Sequence, residues 1–552
     1  MKKFRNIVTF ILVLSILSLI TTSIFAANDL NLENLALGKS YVYEYSAPGY
    51  YPNDTPSSQK LLTNGIVANF TNWQDKNWNR FLHGGERSVI LNLGSVDTIT
   101  SISIIFLQSL PVGIYFPQEV TYALSQNGTD WSVVGTLKTQ IPLSSTGTRT
   151  VVQNYILSDL NYQAKYVKLT FTVDIWVFAT DFSVIGYQGI TNNATIPPIT
   201  PPATYVNSYL SPGSQAVGGA KNVVLIYDGF YESEPSIGFN TVNELKPYVG
   251  YYDDSNHLKD FMFDGFLFLP YGESPSGATT PYYGNCGRDW EYFLNATFSK
   301  KYNLGALNTA VAEIKDKLNK QSYKAKVFIS VFYPDPNSNF GSINGTTVNT
   351  STLKGQEEAI IQYINEVLNK WKTADYNSLD LAGFYWDYES ISVTATTDQK
   401  TLLNYISNYV KSKNLAFVWI PFNYAPGYIN WKEYGFTAAI LQPNYAWNDE
   451  PISVLRDTAE TAKKFGMGIE MELHWFAPTQ EFYRQKWFAY MNAGLEYGYM
   501  DDAVHFYYQS GGPGTLYDAY LSTDPQVRAI YDETYKFIKG TYKLISTPLL
   551  EK

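Results

Sequence analysis

Apolar and polar positions change rhythm three times along the chain. Residues 7–20 are almost unbroken in their apolar character, behind Lys2, Lys3 and Arg5, and small residues follow at Ala26 and Ala27. A basic start, an apolar run short for a bilayer and a small-residue site predict a secretory signal over residues 1–26. From residue 28 to residue 190 the pattern turns to short alternating runs: 88–93, 99–106, 120–125, 132–137, 150–157, 166–173 and 182–187. Period-two alternation between turn residues marks strands, and Asn127-Gly128 marks a hairpin. Seven or eight strands in this length predict a β-sandwich, of jelly-roll type.

Residues 191–204 interrupt the pattern. Pro197, Pro198, Pro201 and Pro202 stand among Thr and Asn there, which predicts a stiff, exposed spacer. Beyond it, over residues 205–545, strand and helix alternate. Eight apolar runs occur at 223–230, 263–271, 326–334, 381–389, 416–423, 438–445, 467–474 and 503–509. Helical periodicity is clearest at 304–320, 356–372, 399–413 and 451–465. Eight strands with intervening helices predict an α/β fold of the (β/α)8 TIM-like barrel type. An open doubly wound sheet would usually place a Gly-rich phosphate loop after its first strand, and none follows 223–230. The expected chain is therefore multidomain, a β-sandwich followed by a barrel.

Composition narrows the ligand. Aromatic residues make up 16% of the chain and charged residues also 16%, against ~25% charged in ordinary soluble domains. The net charge of -10 argues against nucleic acid, whose binders need a basic face. A ring-rich, weakly charged surface suits neutral hydroxyl-bearing ligands, so the expected partner is a polysaccharide or cell-wall glycan. Cys286 is the single cysteine, so no intramolecular disulfide forms and stability rests on buried area. No second long apolar run follows the signal, and a secreted, extracellular protein without a membrane anchor is expected. The four histidines do not share metal-ligand spacing, and no metal or cofactor is expected for catalysis. His474 and His505 with Asp228 make the one alternative, a metal-dependent deacetylase.

Barrel enzymes work at the C-terminal ends of their strands. The expected strands end in Asp228, in Trp386-Asp387-Tyr388-Glu389, in Asn423, in Asn444-Tyr445, in Glu470-Met471-Glu472-Leu473-His474 and in Tyr507. Tyr385, Asp387 and Glu389 share one face of their strand, and Glu470, Glu472 and His474 share one face of theirs. If both faces point inward, Glu389 and Glu472 lie highest at the rim, with Asp387 and Glu470 one layer deeper. Two carboxyl groups across a sugar site are the minimal machinery of glycoside hydrolysis, with one held protonated by its surroundings. The insert at 273–298, with Tyr282, Tyr283 and Trp290, is a candidate cleft wall. Trp447 and Trp475, beyond strands six and seven, are candidate sugar platforms. The sandwich offers Trp73 and Trp78, in a loop rich in Asn.

Two families share motifs with this chain. Asn34-Leu35-Ala36-Leu37-Gly38-Lys39, Leu62-Thr63-Asn64-Gly65, Leu124-Ser125-Gln126-Asn127-Gly128-Thr129-Asp130-Trp131 and Val184-Ile185-Gly186-Tyr187 resemble the discoidin (coagulation factor type C) family. The resemblance implies a discoidin-like jelly roll that binds carbohydrate through loops at one end. It also implies a structural calcium ion near Asn64, which stands where that family usually has Asp. The barrel resembles an uncharacterised bacterial family of secreted proteins through Asp264-Gly265-Phe266, Arg288-Asp289-Trp290-Glu291, Gly383-Phe384-Tyr385-Trp386 and Gly468-Ile469-Glu470-Met471-Glu472. Acids on strands four and seven also resemble clan A glycoside hydrolases, which retain configuration. That resemblance implies Glu389 as acid/base and Glu472 as nucleophile, with Tyr388 where the clan has Asn. The competing expectation is a non-catalytic glycan-binding protein whose barrel is inactive.

Overall fold

The computed structural model describes residues 31–49, 51–230, 238–278, 285–391, 397–447, 450–511 and 513–550. The signal at 1–26 lies outside the described residues, as do Tyr282 and Tyr283.

The first unit is an antiparallel sandwich built around one long strand, Gly85–Gln108. The sequence pattern predicts two strands here, at 88–93 and 99–106, because Gly94 and Ser95 read as a turn. The structure instead carries the strand through, and its register against Tyr162–Val173 slips between Asn92 and Asp97. Such a bend lets one strand serve two layers. Its first half pairs with Tyr41–Tyr45 and its second with Val151–Leu157 and Trp176–Tyr187. Leu91, Ile104, Phe106, Tyr122, Leu169 and Phe171 fill the space between the layers.

The proline-rich segment is exposed, yet it is not a free spacer. Ser132 Oγ donates to Pro197 O at 2.9 Å, Thr200 N to Trp131 O at 2.8 Å and Gln163 N to Thr195 O at 2.8 Å. These bonds sew it along the sandwich edge.

The second unit is a closed barrel of eight parallel strands. In order they are Asn222–Phe230, Gly265–Gly272, Ala325–Val331, Leu379–Trp386, Ala416–Trp419, Ala438–Leu441, Gly468–Glu472 and His505–Tyr508. Several apolar runs outlast their strands by a few residues, and those tails leave the ladder to form the rim. Helices Asn303–Lys317, Leu353–Ala374, Thr397–Ser412 and Ser453–Phe465 stand where periodicity predicts them. Val223, Leu225, Phe328, Val418, Ile440 and Phe506 fill the barrel, while Ile226, Phe384, Phe417, Leu441 and Met471 face the helices. No helix among the described residues is long and apolar enough to cross a membrane.

Between strands five and six the usual outer helix shrinks to one 3-10 stretch, Tyr428–Tyr434. The tip of the sandwich docks on this side. Tyr424, in the loop after strand five, closes on Gly84, where an added Cβ would lie 2.9 Å from Tyr424 Cδ1, and on Gly49. Tyr51 meets Tyr424 edge-on at 5.3 Å and stacks on Tyr45 at 4.3 Å. Lys464 Nζ donates to Ser46 O at 2.6 Å. Behind the contact Arg87 pairs with Asp54 at 2.8 Å, both buried, and lies over the Tyr51 ring at 4.1 Å.

Candidate active site

A bulge sets the frame of barrel strand four. Val327 and Phe328 face Leu381 and Gly383 across the ladder, so Ala382 is an extra residue. From there alternation is regular: Tyr385 joins the barrel interior, while Phe384 and Trp386 turn to the helices. The same alternation carries Asp387 and Glu389 inward. On strand seven Ile469, Met471 and Leu473 face the helices, leaving Glu470 and Glu472 to the interior and His474 to the mouth.

The electrostatics agree that these acids meet. Burial pushes Asp387 well above the usual carboxylate range, and the charge on Glu389 pushes it further. Burial raises Glu470 in the same way, with the charges of Glu472 and Glu389 adding to it. Four carboxyl groups from two strands thus lie within reach of one another. Each is costly to ionise, because low-dielectric surroundings and like charge both favour the neutral form.

Their surroundings then separate them. Glu472 is buried, but it accepts Trp447 Nε1 at 3.0 Å, the Tyr490 hydroxyl and the Asn444 backbone N–H. These donors favour the ionised form and work against the burial that raises it. Glu389 is only half-buried and takes a hydrogen bond from Gln442, and burial leaves it at about 7. Asp387 is fully buried, and neither of its oxygens receives a side-chain hydrogen bond among the described residues. Burial thus raises Glu472 and Glu389 alike to about 7, Glu472 being the one with three donors favouring its ionised form, while burial and like charge push Asp387 and Glu470 well above the usual carboxylate range.

Other rim residues frame this centre. His474 Nδ1 accepts the Phe476 N–H at 3.0 Å, and its ring stacks on Tyr483 at 3.9 Å. Burial, with Lys486 nearby, lowers His474 to about 4, so it is neutral at physiological pH. Asn423 is buried after strand five, and neither amide atom has a partner among the described residues. Asn444 adopts φ 61, which turns its backbone N–H to Glu472. Tyr445 is buried against Tyr490, with Lys486 Nζ on its carbonyl at 2.8 Å, so it supports the site rather than lining it. Trp475 stands exposed beyond strand seven.

Several expected residues point elsewhere. Val223 and Leu225 face the interior, so Asp228 faces the helices, where it accepts the Thr297 hydroxyl beneath helix Gly287–Thr297. Burial raises it to about 7, and it takes no part in the carboxyl cluster. Trp290 is wholly buried among Phe332, Phe340 and Tyr363, with Nε1 on Asn285, and walls no cleft. Trp386 and Tyr507 lie on the helix-facing sides of their strands, and the Tyr507 hydroxyl donates to Asn222 at 2.9 Å. His505 opens strand eight instead of closing it, so it cannot join His474 and Asp228 around a metal. Tyr490, Gln442 and Lys486 are additions. Lys486 and Tyr490 sit four residues apart on helix Glu481–Tyr497, a spacing that puts two polar groups on one buried face.

In the sandwich, Trp78 is 1% exposed, packed with Leu107, Ile114 and Phe178, and its Nε1 donates to Asn72 O at 3.0 Å. Its face is closed to sugar. Trp73 is half-buried beside it, and Phe70 is exposed on the same loop. The donors near Asn64 are engaged internally. Asn64 Oδ1 accepts the Ile66 N–H at 2.8 Å, Thr63 Oγ1 donates to Lys39 O at 2.7 Å and Lys60 Nζ reaches Gly38 O at 3.4 Å. A loop that brings an ammonium rather than a carboxylate fits calcium poorly.

Comparison with known proteins places the barrel. Residues 222–536, more than half of the chain, match a family described as a domain of unknown function (DUF4855), and the chain belongs to that family. A comparison with curated proteins finds no match. Among solved structures, chitosan-binding module 1 of a chitosanase/glucanase from Paenibacillus sp. IK-5 is similar at 20% identity and a TM-score of 0.20, over 28% of this chain and 99% of that one. A fucose-binding module from Streptococcus pneumoniae is similar at 13% identity, over 28% of this chain and 99% of that one, with a TM-score of 0.20. The C-terminal domain of a chitobiase from Bacteroides fragilis is similar at 12% identity, over 28% and 99%, with a TM-score of 0.21.

Proposed function

We propose that this protein is a secreted glycoside hydrolase acting on a polysaccharide, with Glu389 as acid/base, Glu472 as nucleophile and the sandwich as a glycan-binding module. The observation that carries the reading is the convergence of carboxyl groups from strands four and seven inside one barrel mouth, with different hydrogen-bond donors around Glu389 and Glu472. Glu389, raised by burial to about 7, exchanges its proton near neutral pH and is half-buried, so it is placed to give a proton to a glycosidic oxygen. Burial raises Glu472 to about 7 as well, but Trp447, Tyr490 and the Asn444 N–H donate to it and favour its ionised form, in which its free electron pair attacks the anomeric carbon. The glycosidic C–O bond breaks as the bond to Glu472 forms, and the leaving alcohol departs with the proton from Glu389. Water then attacks the same carbon, Glu389 takes the proton of that water, and Glu472 leaves. Burial and like charge oppose ionisation of Glu470 and Asp387 below them, which limits the further negative charge that the pair faces. Asn423, with a buried amide that lacks a partner among the described residues, is suited to hydrogen-bond a sugar hydroxyl.

Reducing-end release from plant and bacterial polysaccharides tests this. Wild type is expected to release sugar from at least one polymer, and Glu389→Gln and Glu472→Gln are each expected to lose that activity while folding normally. Release that survives both substitutions overturns the assignment. Retention on a glycan gel without release by wild type would leave a binding protein.

A further inference from the structure

The rim beyond strand seven carries more exposed aromatic surface than the carboxyl site needs. Trp475 is 52% exposed, Phe476 41% and Phe482 38%. They form one ridge: Trp475 and Phe476 lie 5.9 Å apart, Phe476 and Tyr483 5.7 Å, Phe482 and Tyr483 5.4 Å. Exposed apolar surface of this kind loses free energy to water unless something covers it. The ridge is continuous with the acids, because Trp447 meets Trp475 at 5.0 Å and hydrogen-bonds Glu472. His474 fills the space behind, against Trp475 at 4.3 Å and Tyr483 at 3.9 Å, which fixes the ring planes.

The charges around the ridge select its ligand. Residues 475–483 hold a single charged side chain, Glu481. Among the described residues the cations beside the ridge are buried: Arg484 donates to Ala477 O at 2.8 Å, and Lys486, under the Phe482 ring at 5.1 Å, donates to Tyr445 O. His474 stays neutral, and the mouth beside the ridge is lined by acids. An anionic chain of uronates or sulfated sugars would find no counter-charge here. The apolar faces of uncharged sugar rings, in contrast, match a row of aromatic faces.

We infer that this ridge seats several consecutive units of a neutral sugar chain on one side of the carboxyl pair, so that the substrate is an uncharged polymer rather than a uronate one. The inference rests on the hydrolase reading for the meaning of the pair, but its test does not depend on cleavage.

Trp475 is open to oxidation by N-bromosuccinimide, and the extent at this one residue can be read from peptide mass. The full-length Glu389→Gln protein, which keeps the Trp447–Glu472 bond, is treated with and without cellohexaose, xylohexaose, mannohexaose, chitohexaose or hexagalacturonic acid. At least one neutral hexamer is expected to slow Trp475 oxidation by about tenfold, the protection of a ligand present at ~10 times its Kd. Hexagalacturonic acid is expected to change nothing. Phe476→Ala in the same protein is expected to weaken the protection of Trp475. Unchanged oxidation with all four neutral hexamers overturns the inference, as does equal protection by the uronate. Protection without polymer cleavage by wild type would keep the ridge and refute the hydrolase, whereas cleavage without protection would do the reverse.

Discussion

The sandwich tip and the barrel mouth both bury charge, and they do so in opposite ways. At the tip Arg87 meets Asp54, and its remaining donors reach the carbonyls of Leu82, His83 and Gly84. The pair is complete, and it is covered by Tyr45 and Tyr51. At the mouth the charges that Asp387 and Glu470 feel are those of other acids. A paired buried charge builds a fixed joint, while like charges held together destabilise the fold and leave protons ready to move. The difference separates a part of the molecule that holds shape from a part suited to chemistry.

The contrast can be broken at either end. The largest effect expected is at the mouth: Glu472→Gln or Glu389→Gln should cut the rate of hydrolysis by roughly 10²–10⁴-fold, the usual scale of lost acid–base catalysis. Thermal melting of both variants should not fall, since each removes a like charge. At the tip the order reverses. Arg87→Met should lower stability by about 3–5 kcal/mol, because Asp54 is left buried and uncompensated; denaturant titration checks this, and an unchanged midpoint would refute the joint. Gly84→Ala should cost about 1–3 kcal/mol, since the new methyl group meets Tyr424.

The pH dependence sharpens the comparison further. Glu389, Glu472 and Asp228 each rise to about 7 on folding, and Asp387 and Glu470 rise well above the usual carboxylate range. A carboxyl raised on folding binds its proton more tightly in the native state, so its contribution is full at low pH and is lost as pH climbs through the folded value. The melting temperature is therefore expected to fall between pH 5 and pH 8, and Asp228→Asn should flatten part of that slope without touching hydrolysis. A slope unaffected by the substitution would show that Asp228 ionises freely. This is the smallest effect of the set.

Period-two alternation made the grouping of Asp387 with Glu389, and of Glu470 with Glu472, legible before any coordinates. It could not say which group faced inward. Asp228 and Asp387 both end a barrel strand and look equivalent in the sequence; parity from Val223 sends one to the helices, and the bulge at Ala382 sends the other inside. A bulge leaves no sequence signal, because it depends on the register of a neighbouring strand. Trp78 departs from its sequence expectation for a related reason. Polar neighbours suggest an exposed loop, but Asn72 turns its carbonyl inward to take the indole N–H, and that lets the ring sink. The strand Gly85–Gln108 was divided at Gly94 because turn residues and bulge residues are the same kinds of residue.

The joint between the units has a consequence for how a long substrate would be handled. Glycine-tight contact at Tyr424, the Lys464 bond to Ser46 and a spacer sewn to the sandwich edge leave little play between the halves. A loose leash would let the barrel roam around an anchor point. This connection works instead like the fence on a saw bench: whatever the sandwich grips lies at one bearing and one distance from Glu389, so the grip would set the length of the piece cut.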